Sequence, residues 1–288
     1  MRAGVLPKLL LSPSVLLVLV CVYGYIMFTL YLSFTSSTLM PTYDWVGGAN
    51  YHRLFGLENW NVSVRNLLVF ALLYIGAASG LGLGFAILID QQIRAEGAFR
   101  SIFLYPMALS FIVTGTAWKW LLDPGVGLER TMHTLGWNSF AFTWIKHGDM
   151  AIYCVVIAAV WQTTGFVMAL FLAGLRGVDA EQVNAARVDG ARTWQVYLHV
   201  IIPQLGSVFV SAVVILAHMA IKSYDLVIAL TNGGPGRSTW LPSVFMYQYS
   251  FTRNEMSVGA ASAVLMLAAI GLVVLPYLVS EMRKAKNG

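Results

Sequence analysis

The sequence predicts an all-α polytopic membrane protein with six transmembrane helices, and three observations carry that reading. Hydrophobic residues make up 58% of the 288-residue chain, charged residues 11%, and mean hydropathy is +0.71; soluble domains average about 45–50% apolar and about 25% charged. Apolar runs long enough for the roughly 30 Å hydrocarbon core recur from one end to the other, so one membrane domain spans residues 1–288 and no ordinary soluble domain fits between them. Basic residues crowd the short connections on one side of these runs, as orientation signals do.

The first span covers about 9–34; it is longer than a signal-peptide core and lacks a small-x-small cleavage site, which predicts a retained span. A turn-rich external loop follows to residue 63, marked by Pro41, Gly47, Gly48, Asn50, Asn59 and Asn61. The second span, 64–89, carries Gly76, Gly80 and Gly84 at four-residue spacing, a stripe expected to let a neighbouring helix approach closely. The third, 101–122, contains Pro106 near its start and should kink there. The fourth covers 150–175, the fifth 205–230 and the sixth 257–279, with external loops at 123–149 and around Asn232-Gly233-Gly234-Pro235-Gly236.

Six spans place both termini on one side. That side's short segments hold ten basic residues (Arg2, Lys8, Arg94, Arg100, Arg176, Arg187, Arg192, Arg283, Lys284, Lys286) against six opposite (Arg53, Arg65, Arg130, Lys146, Arg237, Arg253). The termini and the 178–203 segment are therefore expected in the cytoplasm. The net charge of +5 reports orientation; without a binding motif it does not indicate nucleic acid. Cys21 and Cys154 lie inside apolar spans and read as small packing residues, not as a disulfide or metal pair.

The 178–203 segment is the longest amphipathic, charged run in the chain. Asp179 is a good N-cap and Gln182, three residues on, can complete a capping box. Gly190 is placed to end the helix at C′. A helix of about ten residues, at roughly 1.5 Å each, is too short to cross a bilayer and must lie along its surface. A second short amphipathic run, 191–202, is expected to stop at Pro203.

No phosphate loop, HExxH, CxxC or GxSxG occurs, so the chain is expected to be no enzyme, with no metal or cofactor of its own. In the fifth span, Ser211, Ile215, His218, Lys222 and Asp225 fall on one face of a continuous helix, and Lys222 could neutralise Asp225 at i, i+3. Trp161, Gln162 and Phe166 near the middle of the fourth span combine aromatic faces with an amide, a combination suited to sugars as well as to helix packing. Tyr247 reads as an interface-belt residue.

The 178–203 segment resembles the EAA loop of permease subunits of bacterial ABC importers: Asn184-Ala185-Ala186, Asp189-Gly190-Ala191, Trp194-Gln195 and Ile202-Pro203 match in order and spacing. The family's glutamate is here Asn184, which turns a charged contact into a neutral hydrogen bond. Asp123-Pro124 with Gly127, Gly165-Phe166 followed by Ala173-Gly174-Leu175, and 231–235 with Ser238-Thr239 look like the carbohydrate, MalF-like branch, and the stretches 105–122 and 217–227 are most similar to glucose/mannose-type permeases of Gram-negative bacteria. The resemblance implies a type I importer fold in the bacterial inner membrane. It also implies partners: a second, non-identical permease in a heterodimer, an ATPase dimer that binds ATP and Mg, and a periplasmic sugar-binding protein. Substrate sugar would cross by alternating access, driven through a coupling helix carrying Asn184, Ala185, Ala186, Arg187, Asp189, Gly190 and Ala191. Candidate contacts along the sugar path are Trp161, Gln162, Phe166, His218, Lys222, Tyr224, Asp225, Asn232 and Tyr247. The competing expectation is an ion-coupled secondary transporter using Lys222 and Asp225.

Overall fold

The computed structural model describes residues 5–40, 42–91 and 94–287; Arg2 and Pro41 lie outside them, as do the side chains of Lys8, Arg283, Lys284 and Lys286. In chain order the principal helices are α1 (Val5–Val18, continued by a π-helical stretch Leu19–Tyr23 and by Gly24–Ser33), α2 (Glu58–Asp90), α3 (Glu96–Leu104), α4 (Phe111–Leu122), α5 (Ala151–Arg176), α6 (Ala180–Val188), α7 (Gly206–Ile221), α8 (Asp225–Thr231) and α9 (Met256–Asn287). Among the described residues the only β pairing is an isolated bridge between Thr35 and Trp45.

Among the described residues, four stretches are long and apolar enough to cross a membrane: Leu11–Ser33, Glu58–Asp90, Ala151–Arg176 and Met256–Val279. Two further helix pairs reach that length and apolarity only taken together, each as a broken span or a re-entrant loop: Glu96–Ala108 with Phe111–Leu122, bent by 98°, and Thr193–Gln204 with Gly206–Ile221, bent by 67°. The third predicted span is thus not one kinked helix. A 3₁₀ turn, Tyr105–Ala108, carries Pro106 at its start, and Ser110 restarts the chain by accepting a hydrogen bond from the Val113 N–H at 3.3 Å. Nor is the fifth a continuous helix over 205–230: α7 ends at Ile221, with Lys222 as its C-cap, and α8 begins at Asp225.

The chain divides into two compact units. The first, Met1–Asn61 with Phe245–Ala269, is tied together by polar side chains around its loops. Buried Asn50 donates to the carbonyls of Ser33 (2.9 Å) and Thr35 (2.7 Å), and Ser257 donates through both N–H (3.1 Å) and Oγ (2.8 Å) to the Ser37 carbonyl. Arg53 pairs with Glu255 at 2.8 Å, and Phe245 stacks on Tyr249 while meeting Trp60 edge to face. Asn50→Ala would strand two buried carbonyls; a loss of about 1–3 kcal/mol of stability is expected, read as a lower melting temperature of the detergent-solubilised chain, and an unchanged melt would refute the role.

The second unit, Val62–Val244 with Ile270–Gly288, is built around α5. Most of that helix is buried, including Val155, Ala159, Val167, Met168 and Phe171. Its glycine positions let neighbours in: a Cβ on Gly165 would overlap the Phe103 carbonyl and one on Gly174 would come within 2.8 Å of Val208, while Phe171 meets Phe209 at 4.6 Å. Small residues also set the α4–α8 crossing, where a Cβ on Gly115 would come within 2.6 Å of the Ala229 Cβ. The predicted Gly76, Gly80 and Gly84 stripe is not used this way within the chain: nothing lies within 4 Å of a Cβ at any of the three, and the close approach falls at Gly82, against Val167 at 2.7 Å. Four-residue spacing marks a face; which side of α2 turns toward α5 is decided by packing.

Candidate functional site: the 178–203 loop and the α7–α8 break

α6 begins and ends on local sequence chemistry. The Asp179 carboxylate accepts from the Glu181 N–H at 2.9 Å, satisfying one of the helix's free donors. Gly190 adopts φ +83°, and two bonds close the end: Gly190 N–H to the Arg187 carbonyl (3.1 Å) and Ala191 N–H to the Ala186 carbonyl (3.0 Å). That is the Schellman pattern, which requires a left-handed residue at C′. The expected capping box is absent: Gln182 instead accepts from Gln204 at 2.9 Å, drawing the start of α6 to the end of the following helical run. Pro203 does not stop that run. A π-helical turn, Tyr197–Ile201, precedes it and the helix continues to Gln204 before bending at Leu205. The widened turn fits the lost N–H and ring clash of a helical proline.

α6 has two distinct faces. Val183, Ala186 and, just beyond the helix, Ala191 are half-buried against the core, whereas Asn184, Ala185, Arg187, Asp189 and Gly190 are exposed and Val188 is 88% exposed. Ala186 therefore packs inward, and Asn184, Ala185, Arg187 and Val188 form the outward face. The loop is anchored on both flanks to the corner between α2 and α3. Before it, Arg176 at the end of α5 pairs with Glu96 at 2.6 Å, and Arg100 lies 3.6 Å from the same carboxylate. After it, the Tyr197 hydroxyl donates to the Asp90 carboxylate at 2.7 Å. These pairs are partly exposed, and such contacts stabilise a fold by only about 0–1 kcal/mol each; their effect is on position.

The α7–α8 break separates Lys222 and Asp225. Lys222 caps the C-terminal end of α7 and Asp225 stands in the first turn of α8, so each complements the dipole of a different helix. No ion pair forms between them among the described residues. The pairing expected on a continuous helix fails because Ser223 turns its hydroxyl back to the Met219 carbonyl (2.9 Å) and Tyr224 N–H bonds the Lys222 carbonyl (2.7 Å), ending the helical register. His218, Lys222 and Asp225 instead line a cavity of about 220 Å³ with Phe111, Ser223 and Met219.

The remaining candidates do not converge on that cavity. Trp161 is 42% exposed and, edge-on to Trp118 at 5.8 Å, lines a separate apolar groove of about 590 Å³ with Phe85, Phe103 and Thr164. Gln162, one residue on, is buried and donates to the Leu109 carbonyl at 2.8 Å, an acceptor freed by the 98° bend. Phe166 and Tyr224 pack against the core. Asn232, at φ +54°, ends α8 in an exposed turn. Tyr247 belongs to the first unit, where it is exposed with its ring 5.2 Å from Phe251. Sequence reasoning passed over Asp90, Glu96, Tyr197 and Gln204, and also Asn66, whose amide holds the glycine-rich turn through the carbonyls of Ser238 and Trp240 (both 3.0 Å). Their only sequence signal is a polar residue beside a span end.

Several helices of membrane-crossing length, with a short, two-faced helix exposed on the second unit, define a multi-pass membrane protein. The chain belongs to the family of binding-protein-dependent transport system inner membrane components, whose model matches residues 78–284. Subunits of this family are permeases, and ATP hydrolysis belongs to a partner ATPase. Similar proteins include the "Probable ABC transporter permease protein" of Pyrococcus horikoshii, 40% identical over 94% of this chain and 93% of that one. The xylose/arabinose import permease protein XacH of Haloferax volcanii is 33% identical over 90% of this chain and 82% of its own length. A crystal structure of a bacterial ABC transporter involved in alginate import shares the fold, with a TM-score of 0.82 over 96% of this chain and 95% of that chain at 17% identity. The type I importer permease fold follows from that match.

Proposed function

We propose that this chain is the larger permease subunit of an ATP-driven sugar importer, taking a glucose/mannose-type monosaccharide from a periplasmic binding protein into the cytoplasm. It pairs with a second, non-identical permease and rests on two ATPase subunits, which bind the ATP and Mg; both termini and the 178–203 loop face the cytoplasm. The outward face of α6 carries this reading: a capped helix that spends its inner face on the bundle leaves Asn184, Ala185, Arg187 and Val188 free for a partner. ATPase closure would push on that face and shift the spans between access states. Sugar transport is supported by the names of relatives such as XacH and the trehalose/maltose permease MalF of Thermococcus litoralis. The monosaccharide assignment is supported by the resemblance of residues 105–122 and 217–227.

In this reading His218, Lys222 and Asp225 offer hydrogen bonds to sugar hydroxyls from the walls of their cavity. Lys222→Met is expected to lower uptake of radiolabelled glucose into proteoliposomes by about tenfold or more, since a hydrogen bond to a charged group contributes about 1.5–3 kcal/mol, with the ATPase still co-purifying. Uptake unchanged in the variant removes Lys222 from the path. Displacement of labelled glucose by an α-glucoside, but not by mannose, overturns the monosaccharide assignment. The ion-coupled alternative loses its support with the missing Lys222–Asp225 pair.

A further inference from the structure

We propose that Tyr197 and Glu96 are positioning residues, forming two tethers through which displacement of α6 reaches the wall of the Lys222–Asp225 cavity. The inference rests on the reading of α6 as the helix that meets the ATPase.

The loop is built to move as one piece, because Gln204 bridges back to Gln182 and Val183 and Ala186 rest on the bundle. Its two flanks are bonded to two acids six positions apart: Tyr197 to Asp90 at 2.7 Å, and Arg176 to Glu96 at 2.6 Å. Asp90 ends α2 directly after buried Ile89, so a pull on it acts on a packed helix. Glu96 opens α3, whose Phe103 lies against Gly165 and stacks on Phe85 at 4.5 Å. Beyond α3 comes the 98° bend, held by Gln162 on the Leu109 carbonyl, and then α4, whose first residue, Phe111, lines the cavity with Lys222 and Asp225. A continuous chain of contacts thus runs from loop to cavity, and in this proposal the two-state role is assigned to the bend.

The test uses the assembled transporter with Cys21→Ser and Cys154→Ala and a conservative reporter on the same cavity wall, Ser223→Cys. The rate of labelling by a methanethiosulfonate reagent is measured without nucleotide and after trapping with Mg-ATP and vanadate. Tyr197→Phe combined with Glu96→Gln is expected to shrink the nucleotide-dependent change in rate by at least about fivefold, the lower end of ordinary coupling effects, while the ATPase still co-purifies. The exchange Glu96→Arg with Arg176→Glu, which restores the pair, should restore the Glu96 share of the change relative to Glu96→Arg alone. A full response in the tether variants overturns the proposal, and so does a lower yield of complex with an unchanged response per assembled complex. Gly190→Trp separates the two levels: if it alone abolishes the response, the tethers fall and the α6 reading stands. If the response survives Gly190→Trp, or is missing from the reporter chain itself, both fall.

Discussion

Gly190→Trp is expected to uncouple transport: sugar carried per ATP hydrolysed should fall by roughly tenfold or more, within the usual range of coupling free energies. The substitution acts in two ways. Gly190 sits at φ +83°, where a side chain costs about 1–2 kcal/mol and strains the pair of bonds that end α6. The position is also open, with nothing within 4 Å of the point where a Cβ would stand, so the indole meets no clash inside the chain and projects from the exposed end of the helix. The fold bears that modest cost while the surface proposed to meet the ATPase changes. Gly190→Ala, which carries the strain without the bulk, should fall between. The measurement is glucose uptake and phosphate release in the same proteoliposomes, and a Gly190→Trp transporter with full uptake per ATP would sink the coupling role.

Gly165→Val should cost this chain stability, not coupling. The added Cβ would overlap the backbone carbonyl of Phe103, which cannot rotate away as a side-chain end could. Overpacking of that kind costs about 1–3 kcal/mol and forces backbone shifts, here at the α3–α5 contact. Gly76→Val on α2, where nothing lies within 4 Å, is the matched control. Thermal melts of the detergent-solubilised chain should separate the two, and equal melting of Gly165→Val and the unsubstituted chain would show that α3 can withdraw from α5 without loss.

The short helix α6 was legible because its signals are local: Asp179 before it, Gly190 after it, and an apolar Val183 and Ala186 on one side. The break at Lys222 was not, since a helical projection presumes the continuity it is used to infer. Ser223 bonding back to Met219 carries no hydropathy signal. Likewise Gln162 read as a possible sugar ligand, and in the structure its amide N–H donates to a carbonyl 53 positions away that exists as a free acceptor only because the chain bends there.

By itself, the sequence determined the all-helical membrane class, where the apolar runs lie, and the start and end of α6, because these depend on composition and on bonds within a few residues. Only the tertiary structure decided that two of the apolar runs are sharply bent helix pairs, that Gly82 and not the four-residue stripe meets α5, that Lys222 and Asp225 face a common cavity without pairing, and that the 178–203 loop is tied at both flanks to Asp90 and Glu96. Each of these turns on which polar atom or close-packed backbone lies opposite, and partners brought together across about 50–110 positions leave no trace in any local window.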